Sequence, residues 1–191
     1  MNRKATVVFL RGSMTIALVL CLVFSSFFLV EASYAASAKM IDGRVDFALE
    51  ILRREMKSGL DYLNAKGVLL IPRVIKAGFI VGGEYGEGAL RIGGKTVDYY
   101  SLTAGSLGLQ FGVQEKNIVL VFMEGEALRK FRESKGWKVG ADGAVVLAGT
   151  GVGGFTDTLT GKDPILAYVF GQRGFMFNVT LEGAKLTKLG K

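Results

Sequence analysis

The stretch Ser106-Leu107-Gly108-Leu109-Gln110-Phe111-Gly112-Val113, with Asn117-Ile118-Val119-Leu120-Val121-Phe122-Met123 close behind it, sets the architecture. In the first run Leu107, Leu109, Phe111 and Val113 alternate with small or polar residues, the period of a strand with one face in a core. The second run is apolar throughout, as in a strand buried on both faces. Gly108 and Gly112 fall opposite the apolar row of the first run, where glycine marks a bend or a close approach.

The same signs recur outward from there. Strands are predicted at Val68–Ile71, Ile75–Val81, Gly88–Ile92, Val97–Thr103, Ser106–Val113, Asn117–Met123, Ala144–Leu147, Ile165–Phe170 and Phe175–Leu181. Turn signals lie at Gly93-Gly94, Asp142-Gly143 and Gly171-Gln172-Arg173-Gly174. Two segments read as helices. Asp42 to Asn64 carries Val45, Leu49, Leu52, Met56 and Leu63 as an apolar stripe, flanked by Ala48 and Leu60, with Asp42 as N-cap. Gly125 to Lys135 turns Leu128 and Phe131 inward. Short strands at hairpin spacing with few helices between them give an α+β fold, mainly an antiparallel β sheet, sandwich or partly closed barrel. An N-terminal amphipathic helix and one further short helix complete it.

Residues 1–38 read as an export signal. Arg3, Lys4 and Arg11 precede an apolar run from Met14 to Val30, and Ser33-Tyr34-Ala35 or Ala36-Ser37-Ala38 offers a cleavage site. The run is also long enough to stay as an uncleaved anchor. Either outcome places residues 39–191, a single domain, in the periplasm or the medium, secreted or membrane-anchored. Cys21 follows Leu20 rather than a small residue, which argues against lipid attachment.

Composition removes much chemistry. There is no histidine, and the lone cysteine lies within the signal, which excludes Ser-His-Asp and Cys-His catalysis and His or thiolate metal sites. Three of the 24 basic and one of the 17 acidic residues precede Lys39, so the domain carries a net charge of +5. Scattered charge of that size suits an anionic phospholipid surface and not nucleic acid.

Motif fragments do not survive context. Gly149-Thr150-Gly151-Val152-Gly153-Gly154 has dinucleotide spacing, but the following residues 155–164 do not read as the helix such a site needs. Gly94-Lys95-Thr96 ends like a phosphate loop but has Ala89 where the first glycine belongs, and Ser106 has no histidine to activate it. Asn178-Val179-Thr180 spells a glycosylation sequon inside a predicted strand. No enzyme activity, cofactor or metal is expected.

The run Ala65-Lys66-Gly67-Val68-Leu69-Leu70-Ile71-Pro72, then Val74-Ile75-Lys76-Ala77-Gly78-Phe79-Ile80-Val81-Gly82-Gly83, resembles the opening of the SYLF domain. Later blocks follow in order: Gly86-Glu87-Gly88, Gly105 to Gly112, Ile118 to Phe122, Leu147 to Gly153 and Phe170 to Gly183. The resemblance implies phospholipid binding, phosphoinositides in eukaryotic members, actin association in some fungal members, and no catalysis. An exported chain without SH3 or FYVE domains is not expected to meet actin.

The function expected is therefore non-enzymatic binding of anionic phospholipid at a membrane surface. An interfacial helix needs an apolar face with cationic flanks, which nominates Arg53, Arg54 and Lys57 on the first helix, with Lys66, Arg73 and Lys76 after it. The alternative is a cell-envelope structural or interaction protein that recruits a protein partner.

Overall fold

In the computed structural model the described residues are 36–55, 65–78, 81–107, 112–148, 164–174, 181 and 183–191. The chain divides into two compact units, Met1–Ala36 and Ser37–Lys191. Residues 1–35 of the predicted export signal lie outside the described residues, as do 56–64, 108–111, 149–163 and 175–180. Among the described residues no helix is long and apolar enough to cross a membrane.

The second unit runs α1 (Ala38–Glu55), β1 (Gly67–Gly78), β2 (Val81–Ile92), β3 (Lys95–Leu107), β4 (Gly112–Phe122), α2 (Gly125–Glu133), β5 (Trp137–Lys138), β6 (Val146–Ala148), β7 (Ile165–Gly174) and β8 (Lys185–Leu189). The eight strands form one sheet in the order β5-β8-β3-β2-β1-β4-β7-β6. It is a curled half-barrel, antiparallel except where β6 runs parallel to β7. The α+β class with a helix ahead of a mostly antiparallel sheet is as the sequence reads.

One face of the sheet holds the main core, where Leu69, Ile71, Val74, Leu90, Ile118, Leu120 and Phe122 pack with Leu128 and Phe131 of α2. Phe131 is its hub, with ring centroids 4.7 Å from Tyr100, 4.9 Å from Phe122 and 5.5 Å from Trp137. Ile118 to Phe122 and Ile165 to Phe170 are buried on both faces, as their unbroken apolar runs require.

Several boundaries differ from the sequence reading. The predicted Ser106–Val113 strand is divided, because Ser106 and Leu107 pair with β2 while Gly112 and Val113 belong to β4 and pair with β1. Its alternation therefore spans the end of one strand and the start of the next. Pro72 does not interrupt β1, since the register shift against β4 between Ile71 and Val74 absorbs it as a bulge. Gly171-Gln172-Arg173-Gly174 is likewise not a turn. Gly171 takes φ +60° inside β7, and the extra residue there shifts the register against β4 between Glu115 and Asn117. Gly93 and Gly94, at φ +57° and +79°, do make the expected tight hairpin.

Helix α1 begins earlier than predicted. Ser37, not Asp42, caps it: the Met40 N–H lies 3.3 Å from Ser37 Oγ, and the Ser37 carbonyl accepts from Met40 and Ile41. Asp42 sits in the second turn instead, where its carboxylate accepts from Thr96 Oγ1 and Tyr99 Oη, each at 2.8 Å. One turn later Asp46 meets Arg91 Nη1 at 2.8 Å. These contacts latch α1 to the β2–β3 hairpin.

Candidate functional site

Helix α1 carries two stripes at helical spacing. Ile41, Val45, Ala48 and Leu52 are buried, on the side of the sheet that also buries Leu70, Ala89, Val119 and Val121. Beside them run Met40, Arg44, Phe47, Ile51 and Arg54, which line a groove. Phe47 is 66% and Met40 50% exposed. Large apolar side chains exposed on a helix flanked by arginines form the pattern of an interfacial element.

The groove's other wall comes from two strand bulges on either side of β4. The β1 bulge contributes Pro72 and Arg73, and the β7 bulge Gly171, Gln172 and Arg173. Asn117 on β4 ties both: its Oδ1 accepts the Arg73 backbone N–H at 3.1 Å, and its Nδ2 donates to the Phe170 carbonyl at 3.3 Å. Arg73 is held at φ +53°, the left-handed region, alone among the described non-glycine residues. Such strain persists only where the surroundings over-determine it, and it clusters at binding sites.

The groove encloses about 1020 Å³ and is lined, among the described residues, by four arginines, Arg44, Arg54, Arg73 and Arg173, against one carboxylate, Glu115. Glu115 is shared with Arg73, Oε1 lying 3.4 Å from Nε. Arg54 also has Glu50 at 3.6 Å, a long and exposed pair of little energetic weight. Positive charge is therefore in surplus around an open apolar floor. That arrangement can hold an anionic group against an apolar one; it presents no nucleophile with an activating base.

Of the six residues nominated from sequence, the structure brings Arg54 and Arg73 together here. Arg53 is exposed on the other flank of α1, beside Arg91 at a smaller crevice of about 390 Å³. Lys66 is exposed just before β1, its backbone N–H bonded to the Phe122 carbonyl. Lys76 is buried on the sheet and paired with Glu84, away from the groove. Lys57 lies outside the described residues.

Arg44, Phe47, Met40 and Arg173 were not nominated. The first three had a signal, since Met40, Arg44, Phe47, Ile51 and Arg54 repeat at steps of three and four. Arg173 had none, because its position depends on the β7 bulge.

Residues 103–190 match the family model Ysc84, described as Las17-binding protein actin regulator. The match begins within β3 and runs through β8, so it includes Glu115, Asn117 and Arg173, while α1 and β1 precede it. No curated protein matches the chain at a significant level. The match covers a little under half of the chain and, on a helix-led curled sheet, is consistent with the SYLF resemblance read from the sequence.

Proposed function

We propose that this chain binds anionic phospholipid at a membrane surface outside the cytoplasm and transforms nothing. The observation that carries this reading is the groove between α1 and the two bulges, where four arginines face one carboxylate beside exposed Phe47 and Met40. Each basic residue close to an anionic leaflet contributes about 1 kcal/mol. The charge surplus alone thus gives weak, salt-sensitive attachment. Seating Phe47 among acyl chains adds about 2 kcal/mol of apolar transfer. Together these give reversible surface binding, not insertion.

The test is co-sedimentation of the full chain with phosphatidylglycerol or phosphatidylcholine vesicles at low salt. Selective pelleting with the anionic vesicles, lost as salt rises, is expected. Equal and negligible pelleting with both ends the proposal.

A second reading, recruitment of a protein partner at the cell envelope, draws support from the family description, which concerns a protein that binds Las17 and regulates actin. Crosslinking in cells separates the two. A single stoichiometric protein partner favours recruitment, and lipid adducts favour the membrane.

A further inference from the structure

Among the described residues, three of the four buried charges of this sheet are gathered at one place, the fourth, Glu87, being paired with Lys191. On the face that holds the main core, β1, β2 and β4 carry Val74, Leu90 and Ile118 among their apolar side chains. Further along the same face they change character. Lys76 on β1 lies directly opposite Glu84 on β2 and Gln114 on β4, with Lys116 two residues from Gln114. All four are buried: Lys116 is 0%, Gln114 1%, Lys76 2% and Glu84 7% exposed.

Their charges do not balance. Glu84 holds Lys116 Nζ at 2.8 Å through Oε2 and Lys76 Nζ at 3.5 Å through Oε1. Two ammoniums therefore share one carboxylate, and neither has a second carboxylate among the described residues. The close Lys116 contact lacks hydrogen-bond geometry, so among the described residues its Nζ has no acceptor and Gln114 Oε1 has no donor. Burying an uncompensated charge or an orphaned polar group is unfavourable unless something else completes it.

The neighbouring row of the same face has no side chains. Gly82, Gly78 and Gly112 stand in register across β2, β1 and β4, two residues beyond Glu84, Lys76 and Gln114. Three aligned glycines put no side chains of their own into the row beside the surplus charge.

The geometry points to a second binding site here, for one singly charged oxyanion such as a carboxylate or phosphodiester. Its oxygens accept from Lys116 and Lys76, which completes the charge balance that Glu84 half supplies. Turning the Gln114 and Gln172 terminal amides over together presents Gln114 Nε2 to the anion and lets Gln172 Nε2 donate to Gln114 Oε1, reversing the bond in which Gln114 Nε2 now donates to Gln172 Oε1 at 3.3 Å. The site belongs to β1, β2 and β4, with Gln172 of β7 as the partner of Gln114, and uses no groove arginine. It stands independently of the membrane reading.

The same chemistry is available from a free small anion or from the head of an amphiphile. The test measures the melting temperature of the full chain with sodium acetate, sodium dimethyl phosphate or submicellar sodium decanoate, at ionic strength matched with sodium chloride. At least one probe is expected to raise it in a saturable way. Decanoate acting at far lower concentration than acetate identifies an amphiphile head; equal potency identifies a free anion. Glu84→Gln, which leaves both ammoniums uncompensated, is expected to enlarge the rise. Lys116→Met is expected to weaken binding about tenfold or more, the loss of one charge-assisted bond. Should that variant fail to fold, Lys76→Met serves the same purpose. No rise with any probe, in either wild type or folded Glu84→Gln, overturns the site, whatever vesicle binding shows.

Discussion

Asn117 Oδ1 accepts the backbone N–H of Arg73 at 3.1 Å, across the β1–β4 pair, and so holds that arginine in the left-handed region. The bond connects backbone strain to charge placement, because it fixes the bulge that carries the arginine into the groove. A left-handed conformation costs a non-glycine residue about 1–2 kcal/mol. Arg73→Gly relieves that cost while adding unfolded-state entropy worth about 0.4–1 kcal/mol. The variant is expected to be as stable as wild type or slightly more so, yet to bind anionic vesicles more weakly. Denaturant unfolding and co-sedimentation read the two effects separately. Marked destabilisation would show that the side chain, and not its charge, is what the bulge needs.

Gly88 tests the packing that produces the bulge. A Cβ added there would lie 2.1 Å from the Leu70 carbonyl oxygen and 2.7 Å from Ile71 Cα, both backbone atoms of β1. Neither can move without parting two central strands. Gly88→Ala is expected to cost more than about 3 kcal/mol, or to prevent folding. Gly93→Ala is the control: it meets nothing within 4 Å but sits at φ +57°. Its cost is the conformational one, about 1 kcal/mol. Equal losses for the two variants would contradict this account.

The fold class and the core were legible because both rest on periodicity. Ile118 to Phe122 and Ile165 to Phe170 could only be buried strands, and Leu128 and Phe131 could only face inward. Strand ends were not legible where glycine had two uses. At Gly93-Gly94 positive φ reverses the chain, but at Gly171 the same conformation makes a bulge within β7. Local sequence does not distinguish these, since pairing with Asn117 and its neighbours on β4 settles it. The groove was half legible for the same reason. Its helix wall repeats at 3.6-residue spacing, whereas Arg73 and Arg173 meet there through two bulges tied by one asparagine. Lys76 reads as a surface cation by composition, and only the facing Glu84 reveals it as buried.

The latch between α1 and the β2–β3 hairpin predicts alkaline behaviour. The hydrogen bond to Asp42, with burial adding to it, raises the Tyr99 hydroxyl above the usual tyrosine range. Burial raises Tyr100 further. A group whose folded pKa is raised contributes stability that is complete below the unfolded value, about 10 for tyrosine, and is lost as pH climbs through the folded value. Stability is therefore expected to fall from about pH 10 upward. Asp42→Asn keeps an acceptor but removes the charge, so Tyr99 should titrate earlier than in wild type. Spectrophotometric tyrosine titration of the folded protein checks this, and an unchanged curve for Asp42→Asn would show that the latch does not govern Tyr99.

Phe47 separates membrane contact from stability most directly. It lies on the groove-lining stripe of α1, one residue before buried Ala48, and two-thirds of it is exposed at 66%. Replacing so exposed a side chain changes stability by about 0.5 kcal/mol or less. Phe47→Asp removes the apolar contact and places a carboxylate beside Arg44 and Arg54, cutting the charge surplus that attracts an anionic surface. Vesicle binding is expected to fall by more than for Phe47→Ala, which loses the apolar part alone. Ordering of the three proteins as wild type, alanine, aspartate in co-sedimentation, with matching unfolding midpoints, is the expected result. Aspartate and wild type pelleting alike would mean that this stripe of α1 does not face the lipid, and the membrane reading of the groove would fall with it.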